Sequence, residues 1–88
     1  MALTPDEALL LIQRAGAQNH FEIDRRHAAV QMKARGAIRE DVRYGLQAAG
    51  NCTLQANGRW KVKTVDLDQE ELILILRLID DVLVITVF

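Results

Sequence analysis

Apolar residues recur at helical spacing through the first half of the chain and at alternate positions after Gly50. Thr4-Pro5-Asp6-Glu7 reads as a helix start: Thr4 caps, Pro5 fits the first helical position, and Glu7 completes a capping box. The apolar run from Ala8 to Ile12 follows and Gly16 is a C-terminal stop, which predicts a first helix over residues 5–15. Residues 19–23 are short enough to be extended. Asp24 then caps a second helix ending at Gly36. Glu40 and Asp41 open a third, where their charge suits the helix dipole; Val42, Leu46 and Ala49 form its inner face and Gly50 ends it.

Three turn signals divide the second half. Asn57-Gly58 predicts a two-residue type I′ hairpin. A second turn falls within residues 66–71, and Asp80-Asp81 joins a strand over residues 72–79 to one over residues 82–88. The pattern predicts an α+β domain in which three N-terminal helices pack on a four-stranded antiparallel meander. With no repeat, linker or low-complexity segment in the sequence, residues 1–88 read as one domain.

A two-residue loop at Asp80-Asp81 would pair Ile79 with Val82, Arg77 with Val84, Ile75 with Thr86 and Ile73 with Phe88. Leu72, Leu74, Leu76, Leu78, Leu83, Ile85 and Val87 would then form the helix-facing side. Ile73, Ile75, Arg77, Ile79, Val84, Thr86 and Phe88 would form the other. An odd loop before this hairpin places Lys61 beside Arg77, Lys63 beside Ile75, and Trp60 and Val62 in the core. An even loop would turn both lysines toward leucines and bury unpaired charge. Lys61, Lys63, Arg77 and Thr86 are therefore expected on one open face. Lysines at such positions also serve simply as a solvated surface, and Asp66 or Asp81 offers Arg77 a partner.

Composition narrows the class. Half of the residues are hydrophobic, which is too many for a disordered chain. The single cysteine, Cys52, can form no intrachain disulfide. The N-terminal residues turn acidic at once and do not resemble a signal peptide, and no apolar run is long enough to span a bilayer. A cytoplasmic protein without membrane contact is expected. Net charge is −1, yet residues 24–63 carry nine basic and three acidic residues, leaving +6 there and −7 elsewhere. A basic middle of this kind can follow a phosphate backbone or form a solvated surface neutralised by the rest of the chain.

His27, Gln31 and Arg35 lie at i, i+4 and i+8 and form a polar stripe between apolar arcs. The order of a short extended segment, His27-Ala28, Met32, Arg35-Gly36 and Asp41-Val42 resembles the bacterial family known as domain of unknown function 4258. Gly58-Arg59-Trp60 at a strand start and the ending Ile85-Thr86-Val87-Phe88 also fit it, so the resemblance covers residues 21–88. That family is similar to the RelE, BrnT and MqsR toxins, whose helices pack against an antiparallel sheet. The resemblance implies a RelE-like fold and a metal-independent endoribonuclease of a toxin–antitoxin system, with RNA and an antitoxin as partners. It carries over His27, Arg35 and Thr86 as catalytic positions. Gln31 stands where the family usually has arginine, and Ala37 where a larger aliphatic residue is common, which removes one phosphate-pairing group.

Metal-independent RNA cleavage needs a base for the 2′-hydroxyl, an acid for the leaving oxygen and a cation for the phosphorane charge. His27 suits proton transfer; Arg35, Lys61, Lys63 and Arg77 suit phosphate binding. His20 is a second candidate base. His20, His27 and Cys52 lack the spacing of a zinc site, so neither metal nor cofactor is expected. Cys52 reads as a small buried hydrophobe. The alternative function is a non-catalytic interaction module of the same fold. Self-association is a further option, through an edge placement of the last strand or the apolar set Ile73, Ile75, Val84 and Phe88.

Overall fold

A computed structural model describes residues 3–78 and 80–88. Helix α1 (Pro5–Ala17) begins as its capping box dictates. Thr4 Oγ1 accepts the Glu7 N–H at 3.2 Å, and Glu7 Oε1 accepts the Thr4 N–H at 2.9 Å. These bonds hold the Glu7 carboxyl below its usual pKa, so their contribution is present above the ordinary carboxylate range and fades as pH falls through the lowered value. The helix runs past Gly16, and the stop is Asn19, left-handed at φ 53°, in a Schellman arrangement that bonds the His20 N–H to Ala15 O at 2.8 Å. Gly16 instead marks a close crossing.

Strand β1 (Glu22–Ile23) is followed by a turn in which the Asp24 carboxylate accepts the His27 N–H at 2.8 Å. Helix α2 (Ala28–Arg35) starts there and ends at Gly36, whose φ of 75° costs a residue without Cβ nothing. Helix α3 (Arg39–Ala48) follows, and the Asp41 carboxylate reaches back to accept the N–H of the cap residue Ile38 at 3.0 Å. Val42, Leu46 and Ala49 face inward as the periodicity requires.

Strands β2 (Thr53–Leu54), β3 (Trp60–Val65), β4 (Glu71–Leu78) and β5 (Val82–Val87) complete a five-stranded mixed sheet of order β1-β5-β4-β3-β2. The antiparallel meander expected from the sequence is present, but β1 adds a fifth strand, parallel to β5. The last strand is therefore covered at Leu83 and Val84 and is an edge only beyond them. The Asn57-Gly58 hairpin forms with a different turn. Gly58 N–H bonds Gln55 O at 3.0 Å, Gln55 N–H bonds Arg59 O, and only Gly58 is left-handed, so the loop is a type I turn closed by a bulge glycine and not type I′.

Registers differ from expectation in two places. β3 pairs Trp60 with Leu76, Lys61 with Ile75 and Lys63 with Ile73, two residues from the expected partners but with unchanged faces. In the last hairpin Leu78 opposes Val82 and Arg77 opposes Leu83, and a bulge at Ile85 restores the pairing of Ile75 with Thr86. Val84 consequently enters the core, fully buried, while Leu83 turns to the opposite face. The expected pairing of Ile79 lies outside the described residues. One core joins Ala8, Ile12 and Ala15 of α1, Ala28 and Met32 of α2, and Val42 and Leu46 of α3 to Trp60, Val62, Leu72, Leu74, Leu76, Val84 and Val87. All three helices thus cover one face of the sheet.

Candidate nucleic-acid interface

The face away from the helices is organised in rows. One row runs Lys63, Ile73, Phe88; the next runs Thr53, Lys61, Ile75, Thr86; a third holds Arg77, Leu83 and Glu22. Arg59, one residue before β3, shares a cleft of about 320 Å³ with Arg77. Among the described residues Arg59, Lys61, Lys63 and Arg77 make no ion pair and no side-chain hydrogen bond. Of the two acids that could have paired with Arg77, Asp66 is taken by Arg35 and Asp81 by His20, each at 3.1 Å, while Asp81 also lines one cleft with Arg77, Glu22 and Asp80. Two carboxylates, Glu22 and Glu71, stand at opposite corners of this face. The middle of the face is covered by its neighbours, Ile75 being only 9 % exposed between Lys61 and Thr86, whereas Phe88 at its margin is 59 % exposed.

The polar stripe of α2 faces the free part of the β5 edge. β1 pairs only with Leu83 and Val84, so the backbone beyond needs other partners. Gln31 Oε1 accepts the Val87 N–H at 2.9 Å, and Arg35 donates to Phe88 O. Arg35 also donates to Glu71 O at 3.3 Å and to Asp66 Oδ2 at 3.1 Å. Asp66 is itself 5 % exposed and accepts the Asp68 and Glu70 N–H groups with its other oxygen. Arg35 is thus a clip joining α2, the β3–β4 loop and the ends of β4 and β5.

His27 is exposed at the start of α2 and its side chain bonds nothing among the described residues. Eight residues of helix rise, about 12 Å, separate it from Arg35. Lys61 lies two strands from β5, about 10 Å across the sheet and on the uncovered face. Lys61, Lys63, Arg77 and Thr86 share a face; His27 and Arg35 are not brought to it. His20 meets Asp81 at the hairpin tip, away from both groups. Trp60 is buried in the core. Tyr44 accepts a hydrogen bond from Gln69.

Cys52 is half-buried, and its thiol donates to Pro5 O. Burial, with the Asp6 charge second, pushes its pKa up. Its alkylation by iodoacetamide at neutral pH is expected to be slower than that of a free thiol; a rate equal to the free thiol would contradict this environment. No group of three or more metal-ligating side chains occurs among the described residues, and none of their helices is long and apolar enough to cross a membrane.

The sequence missed three groups. Gln31 and the buried acids Asp41 and Asp66 share the polar bonding between the helices and the sheet and its loops with Arg35 and with Thr64, whose hydroxyl donates to Gly45 O at 2.8 Å; Asp41 Oδ1 also accepts the Leu67 N–H at 3.2 Å. The position of Asp41 at the third residue of α3 was the one available signal. Arg59 was legible in the alternation Arg59, Lys61, Lys63. No family model, curated protein or solved structure matches this chain.

Proposed function

We propose that this chain binds single-stranded RNA on the uncovered face of its sheet. The observation that carries the reading is four cations without partners among the described residues on one face, beside an apolar centre and an exposed aromatic ring at Phe88. Successive outward residues on a strand are about 7 Å apart, so Arg59, Lys61 and Lys63 form a ladder of cations along β3 and Arg77 flanks it. Cations that follow a backbone and an aromatic surface that accepts a base are what single-strand binding requires. The net charge of −1 does not oppose this. Screening confines each charge to about 8 Å at physiological salt; Asp66 and Glu7 are engaged away from the face, and its own carboxylates, Glu22 and Glu71, stand at its corners. In the toxin-like setting that the resemblance implies, an antitoxin would cover the same surface.

A second reading, a metal-independent endoribonuclease, is favoured by one observation: the His27 imidazole is exposed and bonds nothing among the described residues. Labelled single-stranded RNA incubated with the protein in EDTA separates the two. The binding reading expects RNA that is retained but intact. Cleavage abolished by His27→Ala would replace it with the nuclease reading, and neither retention nor cleavage would refute both.

A further inference from the structure

Helix α1 carries an unused surface on the far side of the molecule from its core contacts. Ala8, Ile12 and Ala15 face inward. At 100° per residue the opposite side holds Asp6, Leu10 and Arg14, spaced i, i+4, i+8. Leu10 is 61 % exposed, and among the described residues neither Asp6 nor Arg14 has an ion-pair partner. The stripe reads acid, apolar, base at equal steps of about 6 Å. Turned end for end about Leu10, it meets its own complement.

We propose that α1 is a docking surface for a second copy of this chain, the two helices pairing antiparallel. A two-fold axis beside Leu10 places Asp6 against the partner's Arg14 and Arg14 against the partner's Asp6, with the leucines in contact between them. This is the isologous geometry of a closed dimer. A cleft of about 380 Å³ adjoins the stripe; its apolar part is Leu3, Leu11, Leu78 and Val82, and Arg14 shares it with Asp80 and Asp81. It extends the apolar contact beyond the helices, which alone would bury less than a standard interface. The uncovered sheet face is a poorer seat for a second copy, since its four cations outnumber its two carboxylates, Glu22 and Glu71. The proposal is independent of the RNA reading.

Charge exchange tests it in sedimentation velocity runs on the 88-residue chain from micromolar to millimolar concentration. The wild type should dimerise. Asp6→Lys alone and Arg14→Glu alone should be monomeric, because each makes the stripe single-signed, and an equimolar mixture of the two should recover the dimer. Circular dichroism checks that each variant keeps its helix content; Leu10→Ser, which alters no charge, is the control if one does not, and should also be monomeric. A wild type that stays monomeric throughout, or folded single variants that still dimerise, would overturn the proposal.

Discussion

Arg35→Ala is expected to lower stability by about 2–3 kcal/mol, measured by urea denaturation. The change strands the Asp66 carboxylate, whose side chain is 7 % exposed, and withdraws donors from Phe88 O and Glu71 O. Breaking one side of a buried pair costs most because the other charge is left uncompensated. The cost falls below the roughly 3–5 kcal/mol of a fully buried pair because the Arg35 side chain is 22 % exposed. Asp66→Asn supplies the internal control. It keeps an oxygen for the Asp68 and Glu70 N–H groups and removes the charge, so the double variant should be more stable than Arg35→Ala alone. An Arg35→Ala protein as stable as wild type would refute the clip and return Arg35 to the candidates for phosphate binding.

Gly16→Ala is expected to cost about 3 kcal/mol, a fall in Tm of roughly 12–24 °C for a domain of this size. The sign is diagnostic. Alanine within an unencumbered helix would stabilise by about 0.5–1 kcal/mol. Here the added Cβ would lie 2.5 Å from Gln47 N and 2.8 Å from Arg43 O, backbone atoms that cannot turn aside. α1 must then withdraw from α3, loosening Ile12 against Val42 and Leu46 and lengthening the 3.2 Å bond from Arg43 Nε to Gly16 O. Gly50→Ala, with nothing within 4 Å of the added atom, should change Tm little. Thermal unfolding followed by circular dichroism reads both; a stabilised Gly16→Ala would show that α1 and α3 do not press together at Gly16.

What was legible in the sequence follows from how locally each feature is determined. The capping box at Thr4 and Glu7 and the Gly36 stop are settled within one turn of chain. The faces of β3 were legible because lysines alternate with Trp60 and Val62, and burying them is costly enough to fix the parity. The β5 register was not, because Val82 to Ile85 is apolar at every position and carries no polar marker of face. A bulge at Ile85 is invisible under those conditions. β1 is two residues long and shows no period. Gly16 resembles a helix stop until α3 is known to press against it. Gln31 and Arg35 form the expected stripe, but their partners are 56 and 53 residues away and on backbone atoms, which periodicity does not report.

RNA held on the open sheet face by Arg59, Lys61, Lys63 and Arg77 must show a salt dependence set by those four cations. Fluorescence anisotropy with a short single-stranded RNA in EDTA gives log K against log salt. Each phosphate neutralised on a single strand contributes about −0.7 to the slope, so four cations predict a slope of about −3. Combining Lys61→Ala, Lys63→Ala and Arg77→Ala should reduce it to about −0.7 with the fold intact. A slope unchanged in that variant, or wild-type binding too weak to measure at low salt, would contradict the account.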